Sequence, residues 1–549
     1  MKTRTLRLFA LGLVFVLGSI PAFAQKGTYA ITNARIVTVS GAPISSGTIV
    51  LRDGLIESVG TSVKIPADAL QIDGSGLTIY PGFIDPGSSL GLPAPQARGR
   101  GAAPQPADSD SNSNYSAGLR PSRQAADELK ANESTFDQVR AEGFTTVLTV
   151  GSDKIFNGES VVIDLAGDSV SSMIVKRSFA QHVTFTTERG TFPGSLMGTF
   201  AAIRQMFNDA LRLDRMNKMY AQNPRGIPRP ESDPELEALI PVVRGEKQIV
   251  FNANSEREII RALDLAKEYS LKAVISGGTE SGRVASRLAS QKVPVLLSVN
   301  LPMRTTSENP DADPETMSVL RMRADALKNA SMLKNAGVRF AFQSAGLKNM
   351  GDYQKNVGMI VENGLGKDDA IRAMTLSAAE LLGVDAQLGS IEAGKIANLV
   401  IAKGELLGKD TTLTHVFVDG KMFELPKKKE MPAGSGPAGA MAKAGGIWNV
   451  TVEAPDVSVP LTMNLVQSGN TLTGTISSSM FSTAQIRNGR VSATGMTFDT
   501  SVDFQGTSLS LSFAGTINGD NIEGTIQTGQ GPATFSGSRA PQTESGGQD

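Results

Sequence analysis

From Tyr29 to about Thr78, apolar and polar residues alternate in short runs. "YAITNARIVTVSG", "GTIVLRDGLIESVG" and "ALQIDGSGLTIYPGF" each send successive side chains to opposite faces, which is the period of a strand. Asp53-Gly54, between two such runs, predicts a type I′ hairpin. From residue 80 to 385 the period changes. Apolar strand-like runs now alternate with stretches whose apolar residues recur every three or four positions. "SEREIIRALDLAKEYSLKAVISGG" shows the unit best: Ser255 and Glu258 predict a capping box, Ile259, Ile260, Leu263 and Ala266 share a helical face, and Ala273–Ile275 form a buried strand. "GRVASRLASQKVPVLLSVN" and "RADALKNASMLKNAGVRFAFQ" repeat it, and "FDQVRAEGFTTVLTV" ends another copy. Such alternation means a mostly parallel sheet under helices, and its length favours a closed barrel over an open sheet.

Residues 93–135 interrupt that rhythm with "PAPQARGRGAAPQPADSDSNSNYSAGLRPSR", rich in Pro, Gly and Ser and poor in apolar residues. They read as a flexible insertion after the first barrel strand, with Arg98 and Arg100 solvated. The strand period returns in "GKIANLVIAKGELLG" and "LTHVFVDGKMFEL". Residues 426–445 then read as a linker, and 446–540 as a separate all-β unit. Within it "GNTLTGTIS" at Gly469–Ser477 is echoed by "GDNIEGTIQ" at Gly519–Gln527, predicting two like hairpins in an antiparallel barrel or sandwich. Residues 541–549 read as a disordered tail.

Composition changes this picture in three ways. A chain of 549 residues is too long for one core, so several domains are expected. A formal net charge of -1 gives no electrostatic case for nucleic acid as a partner. Lys2, Arg4 and Arg7 precede an apolar run from Leu8 to Ile20, and Ala22-Phe23-Ala24 follows, so residues 1–24 read as a secretory signal peptide with cleavage before Gln25. A periplasmic or secreted protein is expected, without a membrane span. The absence of cysteine removes thiolate nucleophiles and thiolate metal sites.

Only His182 and His415 are present, poor material for a zinc site built without cysteine. His415, in "LTHVFVDG", reads as an ordinary strand residue, and His182, in "FAQHVTFTTE", as one that could approach the barrel mouth. There is no G-x-S-x-G elbow; Ser195 in "FPGSLMG" has the wrong spacing. "SGGTESG" at 276–282 has P-loop-like glycines but no lysine, and reads as a tight turn before a weak anion nest.

The two ends of the first region carry a resemblance. "ITNARIVTVSG…GTIVLRDGLIESVG…IDGSGLTIYPGFID" and "DDAIRAMTLSAAELLGVDAQLGSIEAGKIANLVIAKGELL…THVFVDGKMF" resemble the amidohydrolase superfamily, in its imidazolonepropionase-like and prolidase-like branches. The resemblance spans residues 28–425. It implies a (β/α)8 TIM-like barrel at 81–385 and a composite β-sandwich built from 25–80 and 386–425, to which 446–540 adds its all-β domain. It also implies metal ligands, and here the sequence departs. The first strand of the family ends Asp-x-His-x-His; Asp85 is kept, but Gly87 and Ser89 stand at the histidine positions. The last strand ends Gly-Thr-Asp; here it reads Gln343-Ser344-Ala345. The resemblance puts the strand-five histidine at Gly277 or Gly278 and finds no counterpart for the strand-four lysine or glutamate.

Two functions follow. One is an exported amidohydrolase-like pseudoenzyme without metal or other cofactor, whose barrel mouth binds a small polar molecule through Gly87, Ser88, Ser89, Gly277, Gly278, Thr279, Glu280, Gln343 and Ser344. In it Asp85 caps its own turn. The other is a hydrolase of carbon–nitrogen bonds that recruits other residues, with Asp85, His182, Glu188 and Glu280 as catalytic candidates. A homo-oligomer is compatible with both.

Overall fold

The computed structural model describes residues 27–93, 115–116, 118–131, 133–167, 169–187, 192–302, 315–408, 411–425, 441–454, 457–479, 481–492, 494–504, 507–528 and 531–540. The signal-peptide segment, Arg98, Arg100, Glu188, most of the linker and the tail lie outside these residues. Contacts divide the chain into two units, Met1–Leu425 and Pro426–Asp549.

The first unit opens with β1 (Tyr29–Ile36), β2 (Ile44–Arg52), β3 (Leu55–Gly60), β4 (Leu70–Asp73) and β5 (Leu77–Pro81). Asp53 and Gly54 join β2 to β3 with φ of 53° and 86°, the left-handed pair that a type I′ turn requires. The far end of the unit supplies β16 (Leu399–Lys403), β17 (Thr412–Val418) and β18 (Lys421–Glu424). All eight join one sheet in the order β18-β17-β16-β5-β1-β2-β3, with β4 on β1. The seam is the antiparallel β16–β5 pair, which registers Ile401 opposite Ile79. Ile31, Ile49, Leu51, Ile79, Leu399 and Phe417 share its core.

Between these ends lies the barrel. Its staves are β6 (Phe83–Ser88), β7 (Phe144–Thr149), a split strand β8 (Phe156–Glu159) and β9 (Val161–Asp164), β11 (Ala180–Thr184), β12 (Gln248–Ala253), β13 (Lys272–Gly277), β14 (Val295–Ser298) and β15 (Phe340–Gln343). A short β10 (Ile174–Lys176) flanks β9. β6 and β7 run parallel, as do β11 through β15. The split strand runs antiparallel, β9 to β7 and β8 to β11, with Ser160 at its joint bonded to the backbone of Phe179 and Ala180. β15 lies against β6 and completes the circle.

Each stave sends one apolar side chain into a buried inner ring: Ile84, Leu148, Val162, Ala180, Val250, Val274, Leu296 and Ala341. The helix Leu376–Leu382 packs Ala378, Ala379, Leu381 and Leu382 into the same cluster, so the ring is solid at that end. The neighbouring residues of each stave, such as Phe83, Val147, Ile249, Ile275 and Phe342, face the helical cover. Ser255 caps the helix Glu256–Glu268 in the expected capping box, and Ile259, Ala262, Leu263 and Ala266 are its buried face.

One expectation is corrected. The insertion at 93–135 is not flexible throughout. Leu119, Ala125, Ala126 and Leu129 are buried, and residues 119 and 124 bridge to Phe156 and Glu159. Backbone bonds from Ile155 N and Phe156 N to Gly118 O and from Glu159 N to Arg123 O tie this part to the split strand, beside those four buried apolar side chains.

The second unit is a closed antiparallel barrel of eight consecutive strands: β19 (Gly446–Ala454), β20 (Val457–Ser468), β21 (Thr471–Ser478), β22 (Phe481–Val491), β23 (Gly495–Phe504), β24 (Thr507–Asn518), β25 (Asn521–Thr528) and β26 (Gly531–Arg539). Side chains fill it, among them Trp448, Met463, Phe498, Phe513 and Phe535. The echoed motifs form equivalent hairpins, β20–β21 and β24–β25. Gly469 and Gly519 turn them with φ of 61° and 64°. At Gly474 and Gly524 a Cβ would lie 2.0 and 2.1 Å from carbonyl oxygens of the preceding strand. Buried pairs at the same spacing, Trp448 with Phe498, Met463 with Phe513 and Leu472 with Ile522, make the barrel two copies of a four-stranded half.

Candidate functional site

Side chains in a strand alternate, so the next inward position lies two residues beyond the apolar ring. On the parallel staves that position is Pro86, Val150, His182, Asn252, Ser276, Ser298 and Gln343, and on the antiparallel stave it is Ser160. The ring therefore changes from wholly apolar to mostly polar in one step towards the strand ends. Six of these residues, all but Ser160 and Ser298, line a cavity of about 180 Å³ at the barrel mouth. Gly87, Ser88, Ser89, Ser152, Asn157, Thr184 and Ala345 are among the residues that complete its wall. Among the described residues no Asp, Glu, Lys or Arg lines it.

Gln343 is fully buried and crosses the floor. Its Nε2 donates to Leu296 O at 2.7 Å and to Ser276 Oγ at 3.1 Å. A Cβ on residue 87 would lie 1.7 Å from Gln343 Oε1. Glycine at 87 and glutamine at 343 are therefore one packing solution: the amide of the last stave fills the space a first-stave side chain would use.

Asp85 is 1% exposed. Its Oδ1 accepts from Ser344 N at 2.8 Å and Gly87 N at 3.2 Å, and its Oδ2 accepts from Ser344 Oγ. It caps its own turn and also pins the last stave to the first. Burial pushes its carboxyl above the usual range, and the bonds from Ser344 and Gly87 pull in the other direction.

His182 is 8% exposed, and its Nε2 lies 2.9 Å from Ser160 Oγ. Ser160 directs its own proton to Ala180 O at 3.3 Å. With that proton on Ala180 O, Ser160 Oγ would accept from an Nε2 proton, and Nδ1 would be the ring's acceptor. Burial lowers the His182 pKa to about 3, so the ring is neutral at physiological pH. The pair is not a nucleophile and base. Ser160 is fully buried, does not line the cavity, and faces an imidazole too weakly basic to take its proton.

These residues do not fit the divalent metal that the barrel resemblance implies. The wall offers one imidazole, three primary amides and several hydroxyls, whereas such ions are held by three or more histidines and carboxylates. Among the described residues no group of three or more His, Cys, Asp or Glu could hold an ion. Asp85, at the end of the first stave, is occupied by backbone N–H groups.

The sequence reading located part of this wall. Gly87, Ser88, Ser89 and Gln343 line the cavity; Ser344 is turned to Asp85. Gly277, Gly278, Thr279 and Glu280 do not line it. They form a tight turn with φ of 93° and 61° at the two glycines, in which Gly278 N and Glu280 N bond to Ala253 O and Asn254 O. Glu280 accepts from Glu256 N at 2.8 Å and pairs with Arg283 at 3.4 Å, and Thr279 donates to Asn254 at 3.2 Å. Gly277 ends the sixth stave, not the fifth; the fifth-stave position in the mouth is Asn252, and the fourth-stave position is His182. The count slipped because the split third stave has no helical repeat to mark it. His415 lies on β17, half-buried beside Thr414, away from the mouth.

Residues 274–423 match the amidohydrolase family. No curated protein matches the chain. Among solved structures, an amidohydrolase from Thermotoga maritima MSB8 is similar with a TM-score of 0.60 at 24% identity, covering 72% of this chain and 100% of that one. A prolidase complexed with N-methylphosphonate-L-proline has a TM-score of 0.44 at 18% identity, covering 73% of this chain and 100% of that one. Phenylurea hydrolase B has a TM-score of 0.42 at 16% identity, covering 72% and 97%.

Proposed function

Because the chain carries an amidohydrolase-family domain at residues 274–423 on a barrel of matching fold, we propose that it is an exported member that binds a small molecule at the barrel mouth without hydrolysing it. The observation that carries this reading is the polar ring. At the positions where the resemblance expects metal ligands stand Gly87, Ser89 and Ala345, and Gln343 fills the space between staves. Hydrolysis in this architecture needs an ion to lower the pKa of water and a carboxylate to move its proton. The wall supplies a neutral imidazole, amides and hydroxyls in their place. A concave mouth with convergent polar groups remains suited to binding. Export is supported by Lys2, Arg4 and Arg7, the apolar run after them, and Ala22-Phe23-Ala24.

Elemental analysis of purified protein after zinc or manganese loading, with amide and dipeptide hydrolysis assays on the same sample, tests the central point. No stoichiometric metal and no turnover are expected. One bound equivalent with turnover abolished by chelation would establish instead a carbon–nitrogen hydrolase, the activity the fold would otherwise suggest. N-terminal sequencing of protein from the periplasm or medium is expected to begin at Gln25, and a chain retaining residues 1–24 would remove the case for export.

A further inference from the structure

The cavity has a chemical preference that its fold does not dictate. Among the described residues its wall holds no charged side chain, and the one titratable group on it, His182, is neutral. Most of the other polar groups are satisfied within the protein. Asn157 Oδ1 accepts from Lys154 N, and its Nδ2 donates to Lys154 O and Thr184 Oγ1. Ser88 Oγ accepts from Leu90 N at 3.0 Å, and Ser276 is bonded to Gln343. Two groups stand apart. His182 is more than nine-tenths buried, with Nε2 held by Ser160 and Nδ1 unpartnered among the described residues. Asn252, on the adjacent stave, has no hydrogen bond to its side-chain amide among the described residues. Neither group is sealed from solvent, so a ligand with the matching donor and acceptor takes the place of water there.

Resting on the binding function proposed above, we infer that the mouth takes an uncharged, ring-sized molecule that presents a hydrogen-bond donor next to an acceptor, the donor to His182 Nδ1 and the acceptor to the Asn252 amide. A cavity of about 180 Å³ is a little larger than one that encloses a benzene ring, so the buried portion is a single five- or six-membered ring. An anion or cation of that size would lose its hydration and find no counter-charge. A cyclic amide and a vicinal diol both offer the required pair.

The test uses the full-length protein with ¹⁵N-labelled histidine rings. The chain has only two histidines, so a His415→Gln variant assigns His182. Four results are expected. His182 carries its proton on Nε2 at neutral pH. The Nδ1 resonance of His182 moves on titration with 2-pyrrolidinone, with 1,4-anhydroerythritol, or with both, the two arms separating amide from diol. It does not move with pyrrolidinium or 2-furoate, charged rings of similar size. Asn252→Ala weakens the responsive probe about tenfold, with an unchanged melting temperature. A proton on Nδ1, an equal response to the charged rings, no response to either uncharged probe up to its solubility limit, or indifference to Asn252→Ala would each overturn the inference. Those results leave the metal-free binding reading standing, whereas stoichiometric metal in the loading experiment removes that reading itself.

Discussion

His182 couples the barrel to pH in a way that can be measured without knowing any ligand. Its pKa is about 3 in the folded protein, against roughly 6.5 in an unfolded chain. The folded state holds the ring neutral, so protonation favours unfolding. The stabilising contribution is fully present above about pH 6.5 and is lost as pH falls towards 3. The whole span corresponds to roughly 5 kcal/mol, of which about 2 kcal/mol is lost between pH 7 and pH 5. Urea unfolding of the wild type and His182→Gln at those two pH values isolates this residue, because other carboxylates titrate alike in both proteins. Every described helix lies in the first unit, so ellipticity at 222 nm follows the barrel that holds His182. The single tryptophan, Trp448, lies in the second unit and gives a separate control. The wild type is expected to lose about 2 kcal/mol more than His182→Gln on going to pH 5. Equal losses would mean that the imidazole charges freely inside the folded barrel, and the neutral-wall argument would fall with it.

Other perturbations test the remaining contacts. Gly87→Ala places a methyl against Gln343 Oε1 and is expected to cost about 1–3 kcal/mol by urea unfolding, and Gln343→Ala in the same chain is expected to relieve part of that cost; strict additivity would refute the interlock. Asp85→Ala leaves the N–H groups of Gly87 and Ser344 without an acceptor and is expected to cost about 2–4 kcal/mol, whereas Asp85→Asn keeps one acceptor and costs less, with neither change altering the Trp448 fluorescence transition. In the second unit, Gly474→Ala and Gly524→Ala each drive a Cβ into a neighbouring carbonyl oxygen and are expected to lower the Trp448 transition by similar amounts, at least about 2 kcal/mol each; tolerance of either would contradict the close strand approach.

What the chain reveals before folding follows the range of the interactions involved. The Asp53-Gly54 hairpin and the Ser255–Glu258 capping box are settled within a few residues, and both are legible in the sequence. The echoed hairpins of the second unit are legible for the same reason, since a turn glycine and a close-approach glycine recur at fixed spacing. The split third stave is not legible. Its two four-residue pieces meet at Ser160, pair with different neighbours, and carry no helical repeat between them. Residues 118–131 are misjudged for a related reason: backbone bonds to the split strand and a few buried apolar side chains hold them, and composition shows neither.

The mouth shows how one miscounted stave propagates into chemistry. With the third stave overlooked, Gly277 takes the fifth position and Asn252 goes unnoticed, although both residues follow the same strand-then-turn pattern. Register then does the rest. Position 276, and not 277 or 278, faces inward, because alternation runs from Val274 in the apolar ring. The same alternation places His182 two residues above Ala180 and so inside the mouth, with Ser160 of the antiparallel stave opposite its Nε2. The imidazole is thus set by backbone geometry common to all eight staves, while its neutrality is set by burial. A charged group at Asn252 or Ser276 would change the second without disturbing the first. The preference for an uncharged ligand therefore resides in the identity of a few ring residues, and the barrel would carry another preference on the same frame.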